Sequence, residues 1–157
     1  MSNFNKKLIL IQLNEINFEL AEKYADKYNL KTIKFLLDSK KKNYQTKSEN
    51  EYNLLEPWIQ WFSVYSGKKA SDHGVFRLGD ADYYKEELLF NKIENLKYQI
   101  GCVSPMNLNN NFKNVSYFIP DPWSKTSSDN SYWSKKISSL LNVTVNNNSG
   151  SLFKFST

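Results

Sequence analysis

The chain has 157 residues, of which 40% are hydrophobic and 15% aromatic, and a formal net charge of +5. That length suffices to bury about 70% of the unfolded-chain surface in one domain, and the composition excludes a disordered polymer. The excess charge is lysine, with Arg77 the only arginine, whereas base readout and bidentate phosphate binding favour arginine, so nucleic acid is an unfavoured partner. The single cysteine, Cys102, excludes an internal disulfide and fits a reducing, cytoplasmic compartment. The run Leu8-Ile9-Leu10-Ile11 is far too short to cross a membrane.

Residues 7–13 form a continuous apolar run between polar flanks, the pattern of a strand buried on both faces. Asn14 and Glu15 follow it, at the carboxyl end of the strand, where ligands bind in α/β sheets. Oxygen ligands for a hard cation would be useful there; equally, Asn14 suits a strand-to-helix turn and Glu15 a helix cap. Leu20, Ala21, Tyr24, Ala25 and Tyr28 make a helical stripe, and Ile33, Leu36 and Leu37 a second one after Asn29-Leu30. Residues 43–47 alternate weakly, as a second strand would, and 48–53 form a polar, acidic loop.

The most informative stretch follows. Trp58, Trp61, Phe62 and Tyr65 fall at i, i+3, i+4 and i+7, one face of a helix. Pro57 suits the first helical position, Glu56 places negative charge at the positive end of the dipole, and Gly67 suits the stop. Residues 68–82 lack periodicity and read as an ordered loop containing Asp72-His73-Gly74. Residues 86–96 read as a helix with Leu89, Ile93 and Leu96 on one face, and 98–103 as a strand stopped by Ser104-Pro105. A strand at 115–119 leads into the rigid turn Pro120-Asp121-Pro122-Trp123. Residues 131–141 read as a helix with Tyr132 or Trp133, Ile137, Leu140 and Leu141 inward. Residues 142–151 read as a polar turn or linker before a short apolar end at 152–155. The alternation predicts a single α/β domain over 1–157 with a largely parallel sheet.

Three pieces give the chain a resemblance to the N-terminal part of the alkaline phosphatase superfamily, on the side of the type I phosphodiesterase/nucleotide pyrophosphatases and sulfatases. They are the opening strand running into Asn14-Glu15, then Ser63-Val64-Tyr65-Ser66-Gly67 with Asp72-His73-Gly74, and lastly Tyr98-Gln99-Ile100-Gly101 with the later Pro120-Asp121-Pro122-Trp123. Leu55-Glu56-Pro57-Trp58-Ile59-Gln60-Trp61 is similar to a group of bacterial phosphodiesterase-like proteins. The resemblance covers most of residues 7–141. It implies a three-layer α/β sandwich, a divalent metal (zinc, manganese or calcium), and a phosphate- or sulfate-ester small molecule or glycan precursor as substrate.

Laid on that pattern, Pro57 stands at the nucleophile position, which proline cannot fill. Glu56 beside it is this chain's candidate catalytic group, as base or metal ligand. The resemblance implies Glu15 and Asn14 as metal ligands, with Asn14 where the family has Asp, and His73 and Trp58 as substrate contacts. His73 alone also fits a hydrogen-bonded loop residue. The family draws further His and Asp ligands from its second half, and this sequence has one histidine. The expectation is therefore an N-terminal portion that is catalytically incomplete by itself, completed by a C-terminal half or an oligomer partner. The alternative is a non-catalytic binding module that keeps the fold and offers the exposed parts of Trp58, Trp61, Trp123 and Trp133.

Overall fold

The computed structural model describes residues 7–38, 44 and 46–146. Among them the protein is mixed α/β, with six α-helices and one two-stranded parallel sheet. The chain divides into two compact units, Met1–Lys47 and Ser48–Thr157.

The first unit holds α1 (Phe18–Lys27) and α2 (Lys31–Asp38). Asn17 starts α1, its Oδ1 accepting the Leu20 N–H at 2.9 Å, so the cap falls two residues beyond Glu15. Glu19 and Lys27 sit at the dipole ends that suit their charges. Asn29 takes a left-handed backbone (φ +50°) and turns the chain, with the Leu30 N–H bonding the Ala25 carbonyl at 2.9 Å. The buried residue of α1 is Ala25, while Tyr24 and Tyr28 stack on the exposed side at 5.7 Å. Lys34 pairs with Asp26 at 3.0 Å.

Residues 8–13 are not a strand. They join no ladder among the described residues, and Leu8 and Ile9 are 77% and 82% exposed. An apolar run supplies the side chains of a buried strand, but hydrogen-bonded neighbours make the strand. The expected strand at 43–47 lies mostly outside the described residues; Tyr44, Thr46 and Lys47 belong to none.

In the second unit a 3₁₀ turn, Tyr52–Leu54, precedes α3 (Pro57–Ser66). Pro57 opens α3, and Gly67 closes it at φ +68°, its N–H bonding the Ser63 carbonyl at 2.9 Å. The loop read at 68–82 contains α4 (Ala70–His73) and a 3₁₀ turn, Asp80–Tyr83. Then come α5 (Leu89–Asn95), β1 (Ile100–Val103) and β2 (Val115–Ile119). The strands pair in parallel, Gly101 opposite Tyr117 and Val103 opposite Ile119.

The core lies on one face of this ribbon. Phe62 and Tyr65 of α3 pack with Val75, Ala81, Leu88, Leu108 and the inward strand residues Ile100, Cys102 and Phe118. The buried face of α3 is Ile59, Phe62 and Tyr65. Trp58 and Trp61 are half-buried at its margin. Each fully buried large apolar side chain contributes about 1.5–3 kcal/mol.

The last helix, α6 (Tyr132–Asn146), runs through residues 142–146, where a linker was expected; 147–151 and 152–155 lie outside the described residues. Its inward residue is Ser134, whereas Trp133 is 68% exposed and Ile137 and Leu140 are also exposed. The small serine is inward because Asp129 holds it: Asp129 Oδ2 accepts the Ser134 hydroxyl at 2.7 Å and also the Phe118 N–H. The Asp129 N–H returns a bond to the Phe118 carbonyl at 3.2 Å. One aspartate thus occupies the outer edge of β2 as a neighbouring strand would. Desolvation pushes its carboxyl up, but the bonds from Ser134, Ser131 and Phe118 outweigh it and hold the pKa at about 2. No helix among the described residues is long and apolar enough to cross a membrane.

Gly101 is fixed by its cross-strand partner. A Cβ there would lie 2.5 Å from the Tyr117 ring. Gly101→Ala is expected to cost about 1 kcal/mol, because the half-exposed tyrosine must swing aside. In a Tyr117→Ala background the same change should cost little or become stabilising, since alanine is otherwise the better strand residue. Denaturant unfolding of the four proteins in that cycle measures the coupling, and additive losses would show that the ring does not set the glycine.

Candidate functional site

In a parallel α/β sheet the carboxyl ends of the strands are the place for a site. Here the loops leaving β1 and β2 are bound to each other and to the loop after α4. Asp121, 1% exposed and just past β2, accepts the Asn107 N–H at 2.7 Å and the Trp123 and Ser124 N–H groups at 2.8 Å. Asn107, just past β1 and at φ +51°, turns its side chain to the third loop. Its Oδ1 accepts the Gly79 N–H at 3.0 Å and its Nδ2 donates to the Arg77 carbonyl at 3.1 Å. Asp80 Oδ2 accepts the Phe76 and Arg77 N–H groups at 3.1 and 2.8 Å. The Trp58 indole N–H donates to the Phe76 carbonyl at 3.1 Å, bringing the first turn of α3 to the same assembly.

Glu56 stands at that end of α3. Its backbone carbonyl accepts the Ile59 and Gln60 N–H groups at 3.0 Å, but its side chain makes no capping bond. The carboxylate is exposed and has no partner among the described residues. Pro57 has no N–H, and those of Ile59 and Gln60 are taken, which weakens the anion-binding capacity this helix end would otherwise have. The candidate catalytic carboxylate is thus accessible, and the substrate-contact candidate Trp58 is bonded beside it.

His73 is placed differently. It is 6% exposed, edge-on to the Phe62 ring at 5.1 Å. The Val75 N–H donates to its Nδ1 at 3.0 Å, so the neutral ring carries its proton on Nε2. Nε2 lies 3.0 Å from the Ser63 hydroxyl oxygen and therefore donates to it, and Ser63 passes its own proton to the Ile59 carbonyl at 3.2 Å. A nucleophilic serine needs the reverse, with histidine accepting the serine proton. This pair ties α4 to α3; it does not activate Ser63. Both ring nitrogens are engaged within the chain.

Asn14 and Glu15, in the first unit, form a turn in which Glu15 takes a left-handed backbone at φ +55°. Among the described residues no three His, Cys, Asp or Glu side chains converge to hold a metal ion. Cys102 is buried, and burial pushes its thiol up to about 11, which leaves it unreactive at neutral pH. A depression of about 360 Å³ beside α5 is lined by Tyr84, Glu86, Glu87, Glu94, Asn95 and Lys113, among others. Its acids are already engaged, Glu86 with Lys68, Glu87 with Asn95 and Glu94 with the Asn114 N–H. Asn107, Asp80 and Asp121 were missed from sequence; the available signal was the Pro120-Asp121-Pro122 turn directly after a strand.

Burial lowers the His73 pKa, with Glu49 and Asp72 opposing and Lys68 assisting. The folded value is then below the unfolded one, so the unfolded chain binds the proton more readily. Stability from this group is full above the unfolded value, about 6.5, and is lost as pH falls below it toward the folded value. The denaturant midpoint is expected to drop between about pH 7 and 5, and this part of the drop should vanish in His73→Gln. Ser63→Ala should cost about 1–3 kcal/mol, because the buried Nε2–H loses its acceptor. Equal pH profiles for the wild type and His73→Gln would remove the assignment.

Comparison of the chain with protein-family models, with curated proteins and with solved structures gave no match.

Proposed function

We propose that this chain is the N-terminal part of an alkaline phosphatase-like three-layer sandwich, belonging to a metal-dependent hydrolase or phosphotransferase of phosphate or sulfate esters, and is not catalytically complete by itself. One observation carries the reading. The carboxyl ends of two parallel strands, the loop after α4 and the first turn of α3 are bonded into one assembly, and Glu56 is left there exposed and unpartnered. A carboxylate in that state is a usable ligand for a divalent cation or a general base. Asp80 Oδ2 and both carboxylate oxygens of Asp121 accept backbone N–H groups of the loops in this assembly. The remaining donors, of the His and Asp kind the resemblance implies, are supplied by a C-terminal half or an oligomer partner. A metal held there would polarise the ester oxygen. The compartment is the cytoplasm, where a buried lone thiol such as Cys102 stays reduced.

A second reading, a non-catalytic binding module, is favoured by the direction of the Ser63–His73 hydrogen bond and by the exposed indoles of Trp123 and Trp133. Both readings meet in one experiment. Calorimetric titration with zinc, manganese and calcium is expected to show binding weakened about tenfold or more by Glu56→Ala, a loss of about 1.4 kcal/mol. The variant should fold normally, since that side chain caps nothing. Glu15→Ala, run in parallel, reports on the other carboxylate. Hydrolysis of an aryl phosphodiester or aryl sulfate by this chain alone should stay at the blank rate. Absence of metal binding sinks the hydrolase reading and leaves the binding module; turnover by the isolated chain sinks the claim of incompleteness.

A further inference from the structure

Charge is divided unevenly between the two units. The first, Met1–Lys47, contains ten lysines against five acidic residues; the second, Ser48–Thr157, contains eleven basic and eleven acidic residues. The whole formal excess of +5 therefore belongs to the first unit, whose basic residues are all lysine. The same unit buries little. Ala25 alone is buried among its described residues, whereas Phe18, Leu20, Tyr24, Tyr28 and Phe35 are exposed, Phe18 and Phe35 by 69% and 74%. At about 100° per residue, Leu20, Tyr24 and Tyr28 share one stripe of α1. Lys23 and Lys27 border that stripe, and Glu19, Glu22 and Asp26 fall on the far side of the helix. Lys27 Nζ lies 5.1 Å from the centre of the Tyr28 ring, which keeps its charge at the border of the stripe.

We propose that the exposed stripe of α1 lies on the surface of an anionic lipid bilayer. Charge complementarity selects that occupant. Lysines beside an apolar stripe on a unit of formal charge +5 meet the negative surface potential of acidic phospholipids. Tyrosine settles where an apolar body meets water, and lysine covers apolar surface with its stem while its ammonium reaches the headgroups. A protein partner is less suited, because protein interfaces favour arginine over lysine and this unit has no arginine. A second copy of the chain brings the same positive charge and repels. With ten residues, α1 is too short to span a bilayer, so it lies in the plane of the surface with the stripe turned to the lipid. The inference is independent of the hydrolase reading, since it involves neither Glu56 nor a metal.

The test is flotation of the full chain with vesicles of phosphatidylcholine alone and of phosphatidylcholine with about one third phosphatidylserine. Binding is expected on the anionic vesicles, and should fall about tenfold or more when the acidic lipid is left out or the salt is raised to about 1 M. Lys23→Gln/Lys27→Gln should weaken it about tenfold or more, at roughly fivefold per lysine. Leu20→Gln/Tyr24→Gln keeps every charge and should weaken it about tenfold or more as well, because the apolar stripe is lost. Far-UV circular dichroism checks that α1 remains folded in that variant. If it does not, Leu20→Ala/Tyr24→Ala replaces it, alanine being the strongest helix former, and the same loss is expected. Absent binding, or binding indifferent to lipid charge, overturns the proposal. So does binding undiminished in the apolar variant, which would mean adsorption by charge alone. Sedimentation showing self-association that Leu20→Gln/Tyr24→Gln abolishes would overturn it too, assigning the stripe to a second copy.

Discussion

Phe62 is the residue through which the second unit is assembled. Fully buried on α3, its ring meets Tyr84 edge-on at 5.0 Å, His73 at 5.1 Å and Tyr65 at 6.4 Å. From Tyr65 the contacts continue through Phe90 and Phe112 to Phe118 on β2. One aromatic chain thus links α3, α4, α5 and the sheet. Edge-to-face geometry matters because the positive ring edge meets the negative face, worth about 0.5–1.5 kcal/mol per pair beyond burial. Truncation of a fully buried phenylalanine typically costs about 3–5 kcal/mol. At Phe62 it would also loosen the wall against which the His73 ring is set.

That wall explains the polarity of the Ser63–His73 bond. His73 ends a short helix and Val75 turns back over it, so the Val75 N–H reaches Nδ1. This local turn, not a distant carboxylate, decides the tautomer. Once Nδ1 is an acceptor, Nε2 has a proton to give, and the helical Ser63, with its own hydroxyl directed at the preceding turn, is the acceptor that fits. The arrangement is satisfied at every atom while His73 is neutral. Protonation would place a second proton on Nδ1 opposite the Val75 N–H, so the charged form loses a bond and faces desolvation as well. A pair that looks like nucleophile and base by composition is therefore a cross-brace by hydrogen-bond direction.

Direction of this kind is not legible in sequence, whereas periodicity is. The α3 boundaries were readable because Pro57, Gly67 and the aromatic spacing agree, and β2 was readable because Val115 to Ile119 are rich in β-branched and aromatic residues and are stopped by Pro120. The face of α3 was misjudged by part of a turn: Ile59 is buried where Trp58 was expected, because the indole N–H of Trp58 needs the Phe76 carbonyl at the margin. On α6, apolar spacing pointed Trp133 and Leu140 inward, but Asp129 recruits Ser134 instead. Residues 8–13 failed for the opposite reason, since their pattern is that of a strand and no ladder partner accompanies it among the described residues. A side-chain hydrogen bond accounts for the departures at Trp58 and Ser134, and a missing ladder partner for that at residues 8–13.

The same bonds sort the carboxylates at the strand ends. Asp80 and Asp121 are each committed to backbone N–H groups, which hold three loops in register. An oxygen so engaged has little lone-pair capacity left, and moving it to a metal would release the loop it holds. Glu56 differs because Pro57 has no N–H to offer and the Glu56 backbone carbonyl, not its side chain, accepts the N–H groups of Ile59 and Gln60. The helix start is therefore stable without that carboxylate. The same helix end is tied to the loop after α4 through the Trp58 indole, which donates to the Phe76 carbonyl. The loop carboxylates hold the three loops together, and the Glu56 side chain makes no such bond.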